Sequence, residues 1–280
     1  MVPLKIMEPY WDLIKRIIIE SDLVLEILDA RLVELSRNEE VERLIKEIKR
    51  PVIFVVNKSD LVSKQSIRGQ IDKLSQEGVV VFVSSENKHS ARILTSKIKQ
   101  TFEKYGKRDM KNKFIGKPSA EYREAKGEIV VGVLGYPNVG KSSIINMLAH
   151  RKKVKVSKKA GTTHGIHWIK ASDEIKLIDT PGVIPLKAED EIRYGLIGAK
   201  DIERLKDSEV VADSIIKLFI KNNKKAFEEF YKIKIEAEDY DSIINQLGIK
   251  KSFLVKGNRV DENRTAVMIV KDWQSGRLRL

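Results

Sequence analysis

The stretch Gly135-Tyr-Pro-Asn-Val-Gly-Lys-Ser142 decides the fold of this sequence. The apolar run Ile129–Leu134 precedes it with the length of a strand, and a helix is expected from about Lys141 to Ala149. The glycines allow backbone N–H groups to curl around phosphate oxygens, and the amino terminus of the helix adds positive potential. A glycine-rich turn that arose by chance would rarely lie between a strand and a helix. The stretch therefore predicts a phosphate-binding loop.

Within this loop, Lys141 is expected to reach the β- and γ-phosphates as a catalytic residue, and the Ser142 hydroxyl is expected to bind Mg²⁺. Contacts with the nucleotide are expected along the whole loop, from Gly135, Pro137, Asn138, Val139, Gly140, Lys141, Ser142 and Ser143.

A second motif, Asn57-Lys58-Ser59-Asp60, directly follows the apolar run Val52–Val56. A carboxylate at Asp60 can accept two hydrogen bonds from guanine, from the ring N–H and the exocyclic amine, whereas adenine offers no such pair of donors. A buried carboxylate left unpaired would penalise the wrong base by several kcal/mol. Asn57 and Lys58 would brace the loop and flank the base. Taken alone the tetrapeptide resembles an ordinary turn, but beside a phosphate-binding loop it predicts guanine recognition.

A third polar segment, Ser84-Ser85-Glu86, follows the apolar run Val79–Val83. GTPases place a loop here whose backbone amides contact the guanine oxygen, and a helix cap is an equal explanation of the residues alone. Because the segment follows the strand after the Asp60 motif, Ser84, Ser85 and Glu86 are candidate GTP-binding residues.

Asp179-Thr-Pro-Gly182 ends the apolar run Ile175–Ile178. Asp179 is suited to support Mg²⁺ and the Gly182 amide to contact the γ-phosphate, so this element can change conformation when that phosphate leaves. An Asp-Pro-Gly turn without function is the alternative. Gly182 is therefore a candidate catalytic residue.

Between these motifs lies the polar segment from Ala160 to Trp168. Thr163 is the candidate catalytic residue and Mg²⁺ ligand of the first switch, with Thr162 as the alternative. His164 and His167 could contact phosphate, but a place in a polar loop explains them as well.

The remaining pattern predicts an α/β fold with a mainly parallel sheet. Strand-length apolar runs alternate with amphipathic helical segments, from Leu23–Leu28 through the runs above, with Ile166–Ala171 as a further strand candidate. Helical spacing dominates after about Pro185. We therefore expect a GTP-binding domain over residues 1–186, containing an exposed basic connection over 104–127, and a smaller, mainly helical domain over 187–280 that binds RNA.

The charge of the chain also bears on its partners. Its 280 residues carry a formal net charge of +13 and contain no cysteine. A positive surplus lowers the free energy of approach to polyanions, although a lysine-rich solvated surface is the alternative. Without cysteines there are no disulfides or thiolate metal sites, and no signal peptide or membrane span is evident, so a cytoplasmic protein is expected.

The motifs together resemble the circularly permuted YlqF/YawG-type ribosome-assembly GTPases. The guanine motif precedes the phosphate-binding loop, whereas ordinary GTPases have the opposite order. Asp29-Ala30-Arg31 resembles that family's "DAR" element, and Asp261, Arg264 and Asp272-Trp-Gln-Ser-Gly276 resemble its carboxy-terminal pattern. The chain lacks the Gly-His-Met segment of bacterial members, so their catalytic histidine cannot be transferred, and an archaeal- or eukaryotic-like branch is expected.

The resemblance implies a monomeric GTPase that requires Mg²⁺, binds GTP or GDP, and acts on a large ribosomal subunit precursor and its rRNA, without a membrane partner. Asn138 resembles the asparagine of K⁺-activated GTPases. Val183 stands where Ras-type enzymes place a water-orienting glutamine, so slow intrinsic hydrolysis is expected. The alternative function is a nucleotide-sensing RNA-binding module whose hydrolysis is incidental.

Overall fold

The computed structural model describes residues 4–63, 68–84, 87–107, 129–149, 167–179 and 190–280. Its contacts divide the chain into two compact units, the first formed by Met1–Ser59 with Arg68–Pro185 and the second by Asp60–Ile67 with Leu186–Leu280. None of the helices within the described ranges combines the length and the hydropathy that spanning a bilayer requires.

The first unit contains six strands and six helices among its described residues. The strands are β1 (Leu23–Asp29), β2 (Val52–Asn57), β3 (Val79–Phe82), β4 (Ile129–Leu134), β5 (His167–Lys170) and β6 (Ile175–Asp179). The helices are α1 (Leu4–Glu20), α2 (Val33–Ser36), α3 (Glu39–Ile48), α4 (Arg68–Glu77), α5 (Lys88–Tyr105) and α6 (Lys141–Leu148). Lys104 and Tyr105 belong to α5, since the helix extends into the start of the predicted basic connection. Residues 108–127 of that connection lie outside the described residues.

The six strands form one sheet in the order β3-β2-β1-β4-β6-β5. All pairs are parallel except β5 with β6, which are antiparallel. Every residue of β1 is buried, as expected of a central strand covered by helices on both faces. The predicted α/β class and mainly parallel sheet are confirmed.

The strand register brings the predicted motifs to one edge of the sheet. Asp29 at the end of β1 is opposite Asn57 at the end of β2. In the same way, Asp179 at the end of β6 is opposite Val133, one residue before the end of β4. In a parallel sheet, ligands bind outside the carboxyl ends of the strands. Asp29, Asn57 and Asp179 lie at these ends.

The second unit is mainly helical, as predicted. Its helices are α7 (Glu191–Leu196), α8 (Ser208–Tyr231), α9 (Tyr240–Lys250) and α10 (Glu262–Gln274), and the hairpin of β7 (Leu254–Val255) and β8 (Arg259–Val260) joins α9 to α10. The sequence did not predict β8, because two residues, one of them exposed, leave no hydrophobic periodicity to detect.

An aromatic cluster forms the core of this unit. Phe219 packs against Phe227 with ring centroids 5.6 Å apart, and against Trp273 edge to face at 5.8 Å. The indole N–H of Trp273 donates to the Leu196 carbonyl at 2.7 Å, so the buried ring has its polar partner. Trp273 and Gln274 of the carboxy-terminal pattern thus hold α10 against the end of α7, since Gln274 also donates to the Gly195 carbonyl.

The short segment beginning at Asp60 groups with this unit for a visible reason. The Leu61 carbonyl accepts a hydrogen bond from the Leu280 amide at 3.2 Å. The Leu61 side chain also lies directly beside Gly276, where an added Cβ would be 3.1 Å from Leu61 Cδ1.

Candidate nucleotide site

The phosphate loop joins β4 to α6 and depends on two glycines. Gly135 has a φ of +147°, and a Cβ there would lie 2.7 Å from the Ile27 carbonyl oxygen. Gly140 is the N-cap of α6 with a φ of +102°. Both positions require glycine, for the close approach to β1 and for the positive φ respectively. The resulting turn precedes the amino terminus of α6, where backbone N–H groups are available to an anion.

Lys141 spans this loop from its carboxyl end to its start. Its ammonium donates to the carbonyls of Gly135 and Tyr136, each at 2.8 Å, and the side chain is buried. Burial lowers the pKa of Lys141 to about 8, although the charge of Asp179 acts in the opposite direction. An ammonium held by neutral carbonyls in a partly desolvated place is suited to an anionic ligand, because phosphate oxygens would stabilise its charge.

Oxygen ligands suited to Mg²⁺ are present near Lys141. Ser142 and Ser143 are exposed in the first turn of α6, and the Asp179 carboxylate is close enough to act on the Lys141 charge. Hydroxyl and carboxylate oxygens fit the preference of this hard ion, which usually retains water and phosphate ligands as well. The described residues Ser142 and Asp179 therefore fit an Mg²⁺ site.

The guanine motif reaches the phosphate loop through Asn57. Its amide Nδ2 donates to the Val139 carbonyl at 2.8 Å, across 82 positions of sequence. The approach is so close that a Cβ on Gly140 would lie 2.1 Å from that nitrogen. Asn57 is buried, and its Oδ1 has no hydrogen-bond partner among the described residues. The side chain thus fixes two distant loops together and retains an unused acceptor.

The rest of the motif turns away from β2 with its acidic side chain exposed. Lys58 has a φ of +60°, and the Ser59 amide donates to the Val83 carbonyl at 3.2 Å. Asp60 follows in the 3-10 turn Ser59–Leu61 and is exposed, as a group that binds a ligand directly must be.

Ser84 is buried at the end of the β3 segment. Its backbone amide donates to the Ser90 hydroxyl at 3.0 Å, and the N-cap of α5 is Asn87, whose side chain accepts from the His89 amide. Capping of α5 therefore occupies Asn87 rather than Ser84.

Several predicted site residues cannot be placed. Ser85, Glu86, Thr162, Thr163, His164 and Gly182 lie outside the described residues. His167 begins the edge strand β5, where it is opposite Asp179.

The structure adds a group that the sequence did not assign to the site. The Asp29 carboxylate, fully buried at the end of β1, accepts a hydrogen bond from Lys58 Nζ at 2.7 Å. The two residues are 29 positions apart, so only the pairing of β1 with β2 brings them together. The available signal was Asp29-Ala30-Arg31, which the resemblance identified without a role.

A second polar network lies behind the phosphate loop. The Tyr136 hydroxyl accepts from Asn38 Nδ2 at 3.0 Å, and the Asn38 backbone amide donates to the buried Glu26 carboxylate at 3.1 Å. Burial raises the pKa of Glu26 to about 8, and the charge of Glu42 acts in the same direction. This network connects β1 and the start of α3 to the second residue of the loop.

Comparisons with known proteins find GTPases and GTP-binding proteins among the relatives of this chain. Residues 130–252 match the family described as 50S ribosome-binding GTPase. A GTP-binding protein of Methanocaldococcus jannaschii is 34% identical over 270 residues, which cover 96% of this chain and 66% of that protein. Ribosome biogenesis GTPase A of Priestia megaterium is 27% identical over 261 residues, 92% of this chain and 86% of that protein.

Nuclear/nucleolar GTPase 2 of Arabidopsis thaliana is 31% identical over 271 residues, and the match covers 96% of this chain but 43% of the plant protein. The chain therefore spans about two thirds of the archaeal relative (66%) and less than half of the plant one (43%). Among solved structures, YlqF from T. maritima bound to GNP superposes with a TM-score of 0.61 at 19% identity, covering 98% of this chain and 95% of that one. The two chains share this fold.

Proposed function

We propose that this chain belongs to the YlqF/YawG type of circularly permuted GTPases, and that it binds GTP and GDP and hydrolyses GTP as a switch in large ribosomal subunit assembly. One observation carries the nucleotide part of the proposal. The hydrogen bond from Asn57 to the Val139 carbonyl joins the guanine motif to the phosphate loop. A base selected by Asp60 and phosphates wrapped by Gly135–Ser143 would then belong to the same ligand.

The proposed roles follow the chemistry of each group. Lys141 neutralises β- and γ-phosphate charge, and Ser142 with Asp179 would hold Mg²⁺, whose charge would help to neutralise the same phosphates. Thr163 as a further Mg²⁺ ligand and Gly182 as the γ-phosphate contact complete the proposed site, together with Ser84, Ser85 and Glu86 at the base. A K⁺ ion at Asn138 would supply the positive charge that an arginine supplies in other GTPases.

The ribosomal part of the proposal rests on the family description, the relatives and charge. The segment from Ile249 to Arg259 carries four basic and no acidic residues, and Lys250, Lys251, Lys256 and Arg259 are all exposed. Exposed apolar side chains accompany them, namely Ile249, Leu254 and Val255. A basic surface with apolar groups suits RNA, whose phosphates attract cations and whose unpaired bases offer apolar faces. A monomer in the cytoplasm is part of the same proposal.

Nucleotide-dependent binding to the ribosome tests the proposal. We expect the chain with a non-hydrolysable GTP analogue to co-sediment with large ribosomal subunits of its own organism at least about tenfold more tightly than with GDP, the factor expected of a switch. Hydrolysis by the chain alone should stay below about 1 s⁻¹ and rise when subunits are added, since a partner completes the site.

Two variants locate the RNA surface. Lys256→Glu should weaken subunit binding and reduce its salt dependence, because one phosphate contact is lost. Lys73→Glu, an equal change of charge on the exposed face of α4, is the control and should leave binding unchanged. Subunit binding that is equal in the GTP, GDP and nucleotide-free states would contradict the switch and favour the alternative of an RNA-binding module with incidental hydrolysis.

A further inference from the structure

The Asp29 carboxylate is held from several sides at the end of β1. Its Oδ1 accepts from the Arg31 amide and from Arg31 Nε, both at 3.0 Å. Its Oδ2 accepts from Arg31 Nη2 at 2.8 Å and from Lys58 Nζ at 2.7 Å. The Asp29 backbone amide donates to the Ser36 hydroxyl at 3.0 Å. Both Asp29 and Arg31 are buried, so Arg31 fixes the orientation of the carboxylate independently of Lys58.

Lys58 needs such an anchor because of its backbone. Its φ of +60° is a left-handed conformation, which costs an ordinary side chain roughly 1 kcal/mol. Lys58 lies between Asn57, which braces the phosphate loop, and the turn that presents Asp60. A long flexible side chain with its end held at a fixed buried point restricts the backbone between these two functional residues.

The charges favour a permanent contact. Burial alone would raise the pKa of Asp29, but the charges and hydrogen bonds of Arg31 and Lys58 hold it well below its usual range. Asp29 therefore stays ionised at any physiological pH. Lys58 is the more accessible cation, with 21% of its side chain exposed against 1% for Arg31. Arg31 compensates the charge of the buried Asp29 carboxylate. Lys58 donates a further hydrogen bond to its Oδ2 atom.

We propose that Asp29 is a positioning residue for guanine specificity: its carboxylate holds Lys58 and thereby sets the loop conformation in which Asp60 meets the base. This inference rests on the proposed guanine site. It predicts that losing the Asp29 contact reduces selection of the base more than binding of the phosphates.

The test compares affinities for GDP and inosine diphosphate, which differ only in the exocyclic amine that Asp60 would accept from. The ratio of the two affinities does not depend on the fraction of folded protein, so a merely structural role would leave it unchanged. We expect Asp29→Asn to lower the ratio about tenfold, as the loss of one aligned charged hydrogen bond would. Ser36→Ala is the control, because it removes the hydrogen bond to the Asp29 backbone amide and leaves the contacts of the carboxylate intact. It should leave the ratio unchanged.

A double-mutant cycle separates this route from others. Lys58→Gln should lower the ratio about as much as Asp29→Asn, and the double variant should lower it no further, because both changes break one contact. If Asp29→Asn leaves the buried Arg31 charge uncompensated and the chain does not fold, Asp29→Asn with Arg31→Met removes both charges and should give the same fall.

The outcomes are distinct. A wild-type chain that does not prefer GDP over inosine diphosphate contradicts the proposed guanine site itself. A wild-type chain with that preference, together with folded Asp29 variants that keep it, overturns the positioning role. Independent effects of the two changes, about a hundredfold in the double variant, would overturn it as well.

Discussion

The phosphate loop, Gly135–Ser142, and the guanine loop, Asn57–Asp60, are stabilised in different ways. The contacts of Lys141 in the phosphate loop reach carbonyls only five and six positions away. The guanine loop depends on partners 29 and 82 positions away, through Lys58 with Asp29 and Asn57 with Val139. Lys141 thus holds the phosphate loop through nearby backbone carbonyls, although Tyr136 also links this loop to the distant Asn38. The guanine loop is held by residues that the sheet brings together. Substitutions in the phosphate loop should therefore weaken the binding of every nucleotide. Substitutions in the guanine loop should instead change which nucleotide is preferred.

The largest effect is expected from Lys141→Met in the phosphate loop. Losing a charge-assisted contact to phosphate should lower the affinities for GTP, GDP and ATP alike by about 100-fold. The fold should persist, because burial already disfavours the charged ammonium in the free chain. Calorimetric titration with a thermal melt measures both. A loss confined to guanine nucleotides would contradict the division between the loops.

Gly140→Ala affects the point where the two loops meet. The added Cβ would lie 2.1 Å from Asn57 Nδ2, at a φ of +102°. We expect GTP affinity to fall by about 30-fold, since strain and a displaced amide each cost roughly 1 kcal/mol or more. Gly69→Ala is the matched control, because a Cβ there meets no atom within 4 Å and α4 should gain stability. Equal nucleotide affinities of the two variants would show that the loops do not depend on each other.

Asp60→Asn should affect only the recognition of the base. An amide offers one donor and one acceptor, which match the C2 carbonyl and ring N–H of xanthine, whereas the carboxylate matches the two donors of guanine. We expect the affinity for GTP to fall and the affinity for XTP to rise, each by about tenfold, in line with one hydrogen bond lost or gained. Competition binding measures the exchange. A variant that loses GTP without gaining XTP would argue against direct contact between Asp60 and the base.

The last prediction concerns the stability of the chain rather than nucleotide binding, and it involves the network behind the phosphate loop. Burial is the main reason why the pKa of Glu26 rises to about 8, and Glu42 and Glu77 raise it further while Arg37 lowers it. The folded chain therefore keeps this proton, whereas the unfolded chain releases it near the ordinary value of 4.5. The contribution of Glu26 to the free energy of unfolding is complete below pH 4.5 and falls as the pH rises to about 8. The fall is at most about 1.4 kcal/mol for each pH step of one between these two values.

Glu26→Gln should remove this dependence while its amide oxygen still accepts from Asn38. Urea unfolding should find the variant more stable than wild type at pH 9, with the difference shrinking toward pH 5. A wild-type chain whose advantage over the variant grows with pH would show that Glu26 is ionised in the folded state.

The same contrast explains what the sequence could predict. The phosphate loop was predictable because its strand, glycines, lysine and helix lie within one short window, and each strand run was located to within a residue or two. The pairing of Asp29 with Lys58 was not, because it depends on β1 lying beside β2 and on a lysine with positive φ. Neither property has a residue pattern. The grouping of Leu61 with the last residues of the chain depends in the same way on tertiary contacts.

Binding selectivity of the ligand-free chain tests the central claim most directly. Purified protein cleared of nucleotide should bind GTP and GDP in calorimetric titration, with ATP at least about 100-fold weaker, since adenine leaves the Asp60 carboxylate without two donors. Uptake of ATP as readily as GTP, or of neither, would contradict the account that one ligand unites Asp60 with the phosphate loop.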